Sequence, residues 1–304
     1  MRAFTVVLGP AARRGLSRVM PVAHRLRAAG ARIRVEYTQT TEQARHRAAA
    51  AVQDDEVVVA AGGDGTIRLL AGVVADLGGL LGVIPAGRGN DFARQLRLPH
   101  SPDAVADLLL HGRPRHLDVL RVAGQTVVGS VYTGVDAAAN ELANRSRLPA
   151  SLVYPTTGLR ALLRWPRTRY TITVDGRTEE LHAYTVVVAN CGYYGRGLHI
   201  APMARPDDGT LDVVVVRHAP KLLFPVVLRQ MRAGGHLGRQ QVTSYRGSSV
   251  TVRADRPVVA YGDGDPIGRG DQVHVELRPH ALRIICDQAL VEAGHRRRGS
   301  PMAP

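Results

Sequence analysis

Short apolar runs alternate with amphipathic stretches through the first 115 or so positions. "AFTVVLG" predicts a strand, and "LSRVMPVAHRLRAAG" a helix stopped by Gly30, because glycine past the last apolar repeat supplies the backbone reversal that ends a helix. "RIRVEYT" predicts a second strand, followed by a helix over 42–52. "EVVVAA" and "LLGVIPA" predict the third and fourth strands, separated by a helix that starts after Gly65. Helices over 90–97 and 102–111 complete this half. Strand–helix alternation of this kind predicts a parallel sheet with helices on both faces. Ligands of such sheets lie at the carboxyl ends of the strands, where the glycine loops 62–65 and 87–89 both fall.

From about residue 116 the rhythm changes from strand–helix alternation to successive strands. "HLDVLRV", "TVVGSVY", "YTITVDG", "HAYTVVVAN", "LDVVVV", "SVTVRA", "PVVAYGDG", "QVHVELR" and "ALRIICD" all predict strands, interrupted by helical pieces at 151–165 and 220–233. The second half is therefore an antiparallel β domain, a sandwich or an open barrel. The ending "GHRRRGSPMAP" lacks apolar periodicity and predicts a disordered basic tail.

Composition narrows the chemistry. The 304 residues carry a net charge of +14, which attracts nucleic acid, nucleotide phosphates or an acidic lipid surface alike. Nearly all of that charge is arginine; Lys221 is the only lysine, so mechanisms that need a phosphate-loop lysine or a Schiff base have no other candidate. Cys191 and Cys286 are too few for a disulfide framework and read as buried free thiols. No run approaches the apolar length of a membrane span, and the first residues do not read as a signal peptide, which predicts a cytoplasmic protein. Few aromatics and no recognisable motif argue against nucleic acid as a partner.

"GGDGT", residues 62–66, reads by itself as a strand-to-helix turn whose glycines supply positive φ and whose Asp64 or Thr66 caps the helix. It is neither a Walker loop nor a dinucleotide fingerprint. "GVIPAGRGNDFAR", residues 82–94, repeats the strand–glycine–helix arrangement and clusters Arg88, Asn90 and Asp91. One helix cap explains one polar residue, so the pair of loops points to a phosphate site with carboxylates beside it.

These two loops, followed in order by "HLDVLRV", "TGVDAAA" and "NCGYYGRGLHIAPMARPDDGTLDVVVV", resemble the diacylglycerol kinase catalytic-domain family, in particular bacterial soluble lipid kinases related to sphingosine kinases. The resemblance spans roughly residues 1 to 285. It implies a Rossmann-like, phosphofructokinase-like ATP-binding α/β domain over 1–118, a β-sandwich lipid-substrate domain over 119–282, and a C-terminal segment, 283–304, that returns toward the first domain before the tail. The implied reaction is phosphoryl transfer from ATP to a lipid hydroxyl, with diacylglycerol as the default acceptor, at an anionic membrane that the protein touches peripherally; a homodimer is compatible. Carried over by position, Gly62, Gly63, Asp64, Gly65 and Thr66 line the nucleotide, facing Gly87, Arg88, Gly89, Asn90 and Asp91. Asp64, Asp91 and Asp118 match the carboxylates that hold ATP-bound magnesium, largely through water.

"ARPDDGTLD" alone reads as a hairpin turn. The resemblance makes it a structural magnesium loop, with Asp208 giving a carboxylate oxygen and Arg205 and Thr210 backbone carbonyls. In "AYGDGDPIG" the family's glutamate base is matched by Asp265, one methylene shorter. Gly9 and Arg88 are two further departures, standing where the family usually has Asn and a small hydroxyl residue. They leave a weak nucleotide- or lipid-binding homologue as an alternative to a full kinase. An NAD kinase-like enzyme is the other alternative, though "GTIRLLAG" lacks the Asn-Glu pair it predicts. Finally, in "TTGLRALLRWPRTR" the residues Leu159, Leu162 and Leu163 share one helical face and Arg160, Arg164 and Arg167 lie near the other. That pattern fits an interfacial helix with Trp165 at headgroup level, and equally a helix packed on the sandwich.

Overall fold

A computed structural model describes residues 2–10, 15–146 and 150–287. The expected disordered tail falls largely on 288–304, outside the described residues. The chain divides into two compact units, one formed by residues up to 117 with those from 280 onward, the other by 118–279.

The first unit contains β1 (Ala3–Leu8), α1 (Leu16–Ala28), β2 (Arg32–Tyr37), α2 (Thr41–Gln53), β3 (Val57–Gly62), α3 (Asp64–Leu77), β4 (Leu81–Pro85), α4 (Asp91–Gln95) and α5 (Pro102–His111). All strand pairs are parallel, in the order β2-β1-β3-β4, with Val6 opposite Val35 and Val59. β3 is buried along its whole length, which is why its sequence is an unbroken Val/Ala run rather than an alternation. Val6, Leu8, Val59 and Ile84 of the sheet meet Val19 and Leu26 of α1 and Val105 and Leu109 of α5 in one core. The helices start where the sequence supplies caps: Thr40 accepts from the Gln43 amide, and Ser101 from the Ala104 amide ahead of Pro102. Near the chain's end Ile284 pairs in parallel with Leu81, and Ile285 enters the same core.

The second unit begins within β5 (Arg113–Val122) and continues through β6 (Gln125–Val127), β7 (Ser130–Gly134), α6 (Val135–Asn144), α7 (Ala150–Arg164), β8 (Thr168–Val174), β9 (Arg177–Ala189), β10 (Tyr193–Tyr194), β11 (Leu198–His199) and β12 (Leu211–Arg217). A 3₁₀ turn at Lys221–Leu223, α8 (Phe224–Met231), β13 (Val242–Gly247), β14 (Ser249–Gly262) and β15 (Asp265–Cys286) follow. The early parts of β9 and β14 pair with β8, and their later parts pair with β7. Two long strands thus each serve two neighbours, and the antiparallel sheet turns over its own core of Tyr170, Ile172, Val186, Val213, Val250 and Val275.

Five elements differ from the sequence expectation. "TVVGSVY" is not one strand: it breaks at Val128 and Gly129, whose amides, with that of Ser130, are captured by the Asp263 carboxylate at 2.8–3.0 Å. "SVTVRA" and "PVVAYGDG" join into β14 across a register shift between Arg253 and Val258, and "QVHVELR" and "ALRIICD" join into β15. α6 is a helix that the run of strands hid, because "VDAAANELAN" buries only Val135 and Ala137. On α7, Leu162 turns into the core while Leu159 and Leu163 stay exposed, and Trp165 packs half-buried against the apolar interior instead of lying at an outer face.

Candidate nucleotide site and the acidic loops

Parallel strands place the ends of β3 and β4 side by side, so the two glycine loops meet. Their contact is backbone on backbone. A Cβ on Gly87 would lie 2.3 Å from the Cα of Gly63, and one on Gly63 would lie 3.1 Å from the Cα of Gly87. Gly62 and Gly9 are constrained the same way by Thr66, whose Oγ1 would stand 2.6 Å and 2.9 Å from their added Cβ atoms. None of these four glycines has positive φ. The expectation that they supply special backbone angles is corrected: they are glycine because the space is taken.

Neither Asp64 nor Thr66 caps α3 through its side chain; Gly63 is the cap residue. Asp64 instead reaches across to the second loop, where its Oδ1 accepts the Phe92 amide of α4 at 3.1 Å. Burial pushes the Asp64 carboxyl up from its ordinary value, and the amides of Phe92, Asp91 and Asn90 pull in the opposite direction. Asn90 is the cap residue of α4, in the left-handed conformation with φ 52°, but its side chain closes its own loop. Its Oδ1 accepts from Gly87 N at 2.9 Å and its Nδ2 donates to Gly87 O at 3.1 Å. Arg88 is exposed at the tip of this loop, and Arg94 lies 4.0 Å from the Asp91 carboxylate. Along the same carboxyl edge, β2 ends in a groove of about 430 Å³ lined by Glu36, Tyr37, Gln43, His46 and Arg47. The sequence reading did not find it, because those residues form no motif.

The other predicted residues lie in the second unit. Asp118 is 1% exposed; its Oδ2 accepts the Gly209 amide at 2.8 Å, and its own amide donates to Pro206 O. It therefore ties β5 to the 205–210 loop. Within that loop Asp208 Oδ1 accepts from both Thr210 N and Thr210 Oγ1, while Arg205 pairs with Asp207 at 3.4 Å. Asp208 Oδ2 receives the Arg246 guanidinium at 2.6 Å, and Arg246 also lies 3.5 Å from Asp212. Among the described residues no group of three or more His, Cys, Asp or Glu side chains could hold a metal ion. Asp265 opens β15 opposite Gly262, across a tight turn in which Asp263 and Gly264 take positive φ. Both cysteines are buried and outside any disulfide, and Cys191 Sγ donates to the Val128 carbonyl at 3.4 Å.

A buried carboxylate that the sequence reading passed over is Asp136 at the start of α6. Its Oδ1 accepts from Thr185 Oγ1 at 2.6 Å, while Oδ2 is buried. Burial pushes its pKa up to about 7. A folded-state pKa above the unfolded one means that this group contributes stability below about pH 4, and that the contribution is lost as pH rises through about 7. Asp136→Asn is expected to remove that part of the pH dependence and to raise the melting temperature at pH 8 relative to the parent. Thermal melts from pH 5 to 8 check it, and parallel curves for the two proteins would refute it.

Comparison with known proteins bears on the family and the fold. Residues 4–122 match the model of the diacylglycerol kinase catalytic domain, and residues 129–286 that of the YegS C-terminal NAD kinase beta sandwich-like domain. A diacylglycerol kinase of Mycobacterium tuberculosis is 32% identical over 240 residues, 74% of this chain and 74% of that protein. A YegS-like lipid kinase of Pseudomonas fluorescens is 30% identical, over 73% of this chain and 75% of its own length. Among solved structures, a diacylglycerol kinase from Bacillus anthracis superposes with a TM-score of 0.69 at 20% identity, covering 95% of this chain and 98% of its own. An NAD kinase from Archaeoglobus fulgidus in complex with ATP superposes with a TM-score of 0.56 at 15% identity, covering 98% and 100%. At these identities the two structures establish the fold.

Proposed function

Because the chain belongs to the diacylglycerol kinase family of lipid kinases, we propose that it transfers the γ-phosphoryl group of ATP to the free hydroxyl of a diacylglycerol, giving a phosphatidic acid. The observation that carries the ATP reading is the brace between the loops: Asp64 bonded to Phe92, with Gly63 against Gly87. It fixes two bare backbone turns at the carboxyl edge of a parallel sheet, where phosphates find amide donors and no side chain intervenes. The groove at the end of β2 suits the nucleoside.

In the transfer, the acceptor oxygen forms a bond to the γ-phosphorus, the bond from that phosphorus to the β–γ bridging oxygen breaks, and the hydroxyl proton leaves to a base. By its family position Asp265 is the carboxylate that takes the proton, beside Asp263, which accepts three amides. Arg88, exposed on its loop, can pair with phosphate oxygens through its planar fork. Asp64 and Asp91 fit magnesium held through water: two carboxylates beside a phosphate site, one of them already disfavoured as an anion by burial. Asp118 joins this set by its family position. Bound with the nucleotide, magnesium supplies charge neutralisation of the phosphates. In the 205–210 loop the family position would give a second ion the Asp208 carboxylate with the Arg205 and Thr210 carbonyls. Both Asp208 oxygens are engaged, and the Arg246 guanidinium supplies the positive charge between Asp208 and Asp212.

The test is γ-labelled ATP with magnesium and a panel of dispersed lipids plus NAD. Label in diacylglycerol is expected. Label in a different lipid corrects the acceptor, label in NAD replaces the reading, and ATP binding without transfer refutes the activity. Asp265→Asn is expected to lower kcat about 10²–10⁴-fold with little change in the KM for ATP, as for loss of a general base; undiminished kcat would remove Asp265 from that role.

A further inference from the structure

The second unit turns apolar side chains outward in two places. On α7, Leu152, Leu159 and Leu163 are 54%, 57% and 60% exposed. Their spacing of i, i+7 and i+11 makes one stripe of a 3.6-residue helix, while Val153, Ala161 and Leu162 face inward. At the 3₁₀ turn before α8, Leu222 is 89% exposed, and Val226 and Leu228 follow it outward. Val227 and Met231 anchor that helix in the core.

The two places form one surface. Lys221 Nζ donates to the Leu163 carbonyl at 2.7 Å. Phe224 packs with Ala161 and Leu162 in a shared cluster and meets Tyr184 edge-on. Charge on the two stretches themselves has a single sign. No Asp or Glu occurs from 142 to 174 or from 213 to 254, whereas Arg160, Arg164, Arg167, Lys221, Arg229 and Arg232 lie within those stretches.

We propose that this surface is the membrane-docking face of the protein, and that its partner is an anionic bilayer. The leucines enter the acyl boundary, and the arginines and Lys221 reach lipid phosphates with their stems against the apolar layer. A second copy of the chain is the poorer occupant. A two-fold contact through this patch would set arginine against arginine, with no carboxylate from either stretch to pair them. The inference deepens the reading of the acceptor as a membrane lipid and rests on it for its purpose, while the docking itself is tested separately.

The experiment combines Leu159→Ser, Leu163→Ser and Leu222→Ser in the full chain. All three side chains are exposed, so the parent melting temperature is expected to persist. Sedimentation with phosphatidylcholine vesicles, with and without phosphatidylglycerol, reads the docking. The parent is expected to bind the anionic vesicles, more weakly at high salt, and the triple variant at least about tenfold more weakly than the parent. Phosphorylation of a short-chain diacylglycerol dispersed in detergent is expected to stay unchanged in the variant. Equal vesicle binding by parent and variant would overturn the proposal, as would a parent that ignores anionic vesicles. A variant that loses self-association while keeping vesicle binding would also overturn it, in favour of a second copy. Leucine-dependent vesicle binding without phosphorylation of any lipid would uphold the docking face and defeat the acceptor reading instead.

Discussion

Asp64→Asn is expected to lower phosphoryl transfer about 10²–10³-fold or more while the fold persists, a loss of the size seen when one preorganised electrostatic group is removed from a reaction site. Asparagine keeps an oxygen in the place of Oδ1, so the Phe92 amide retains its acceptor and the two loops stay braced. The change removes the negative charge and turns the second oxygen's place from an acceptor into a donor. Burial already disfavours that charge, and in the proposed reading a magnesium ion held with the nucleotide would compensate for it. The variant should therefore melt at or slightly above the parent temperature, while its activity falls and its dependence on magnesium concentration shifts upward. Melting curves and a magnesium titration of labelled transfer check both halves. A variant that loses stability together with activity would show Asp64 to be a brace and nothing more. One with full activity would remove it from the magnesium set.

Gly87→Val is expected to weaken nucleotide binding by more than about tenfold and to cost about 1–3 kcal/mol of stability, the usual range for overpacking. The valine Cβ would stand 2.3 Å from the Gly63 Cα and 2.7 Å from Asn90 Oδ1, and neither can move alone. Gly63 ends at the buried strand β3, and Asn90 holds the Gly87 amide. The loops must separate, which also breaks the bond from Asp64 to Phe92. Gly158→Ala is the control: no atom lies within 4 Å of its added Cβ, so it should be neutral or slightly stabilising. Isothermal titration with ATP and denaturant melts of the two variants give the comparison. ATP affinity unchanged by Gly87→Val would separate the glycine contact from nucleotide binding.

Much of the molecule was written in local pattern. The unbroken Val/Ala run of β3, the glycine stop at Gly30 and the strand character of "TITV" and "VVVV" need only backbone geometry and burial to be read. Elements that depend on partners distant in sequence were not legible. Nothing near "TVVGSVY" announces a break, because the carboxylate that draws in its amides belongs to Asp263, 133–135 positions away. The fusion of two expected strands into β14 or β15 depends on which neighbours each half pairs with.

The candidate site divides along the same line. Spacing alone brought Asp64 and Asp91 to the carboxyl edge of the sheet, since the residue after a parallel strand is at that edge whatever the rest of the chain does. Why the loops are glycine was decided by tertiary structure, because Gly63 and Gly87 are 24 residues apart and their crowding exists only once β3 and β4 are paired. The same holds for Asp208. Its sequence reads as a hairpin turn that only the family resemblance makes a metal loop, and the arginine that bonds to it enters from β13, 38 residues further on. A sequence determines which residues carry charge and where strands end. Which of those charges meet is decided by pairing at long range, where a side chain's partner is set by the fold and not by its neighbours in the chain.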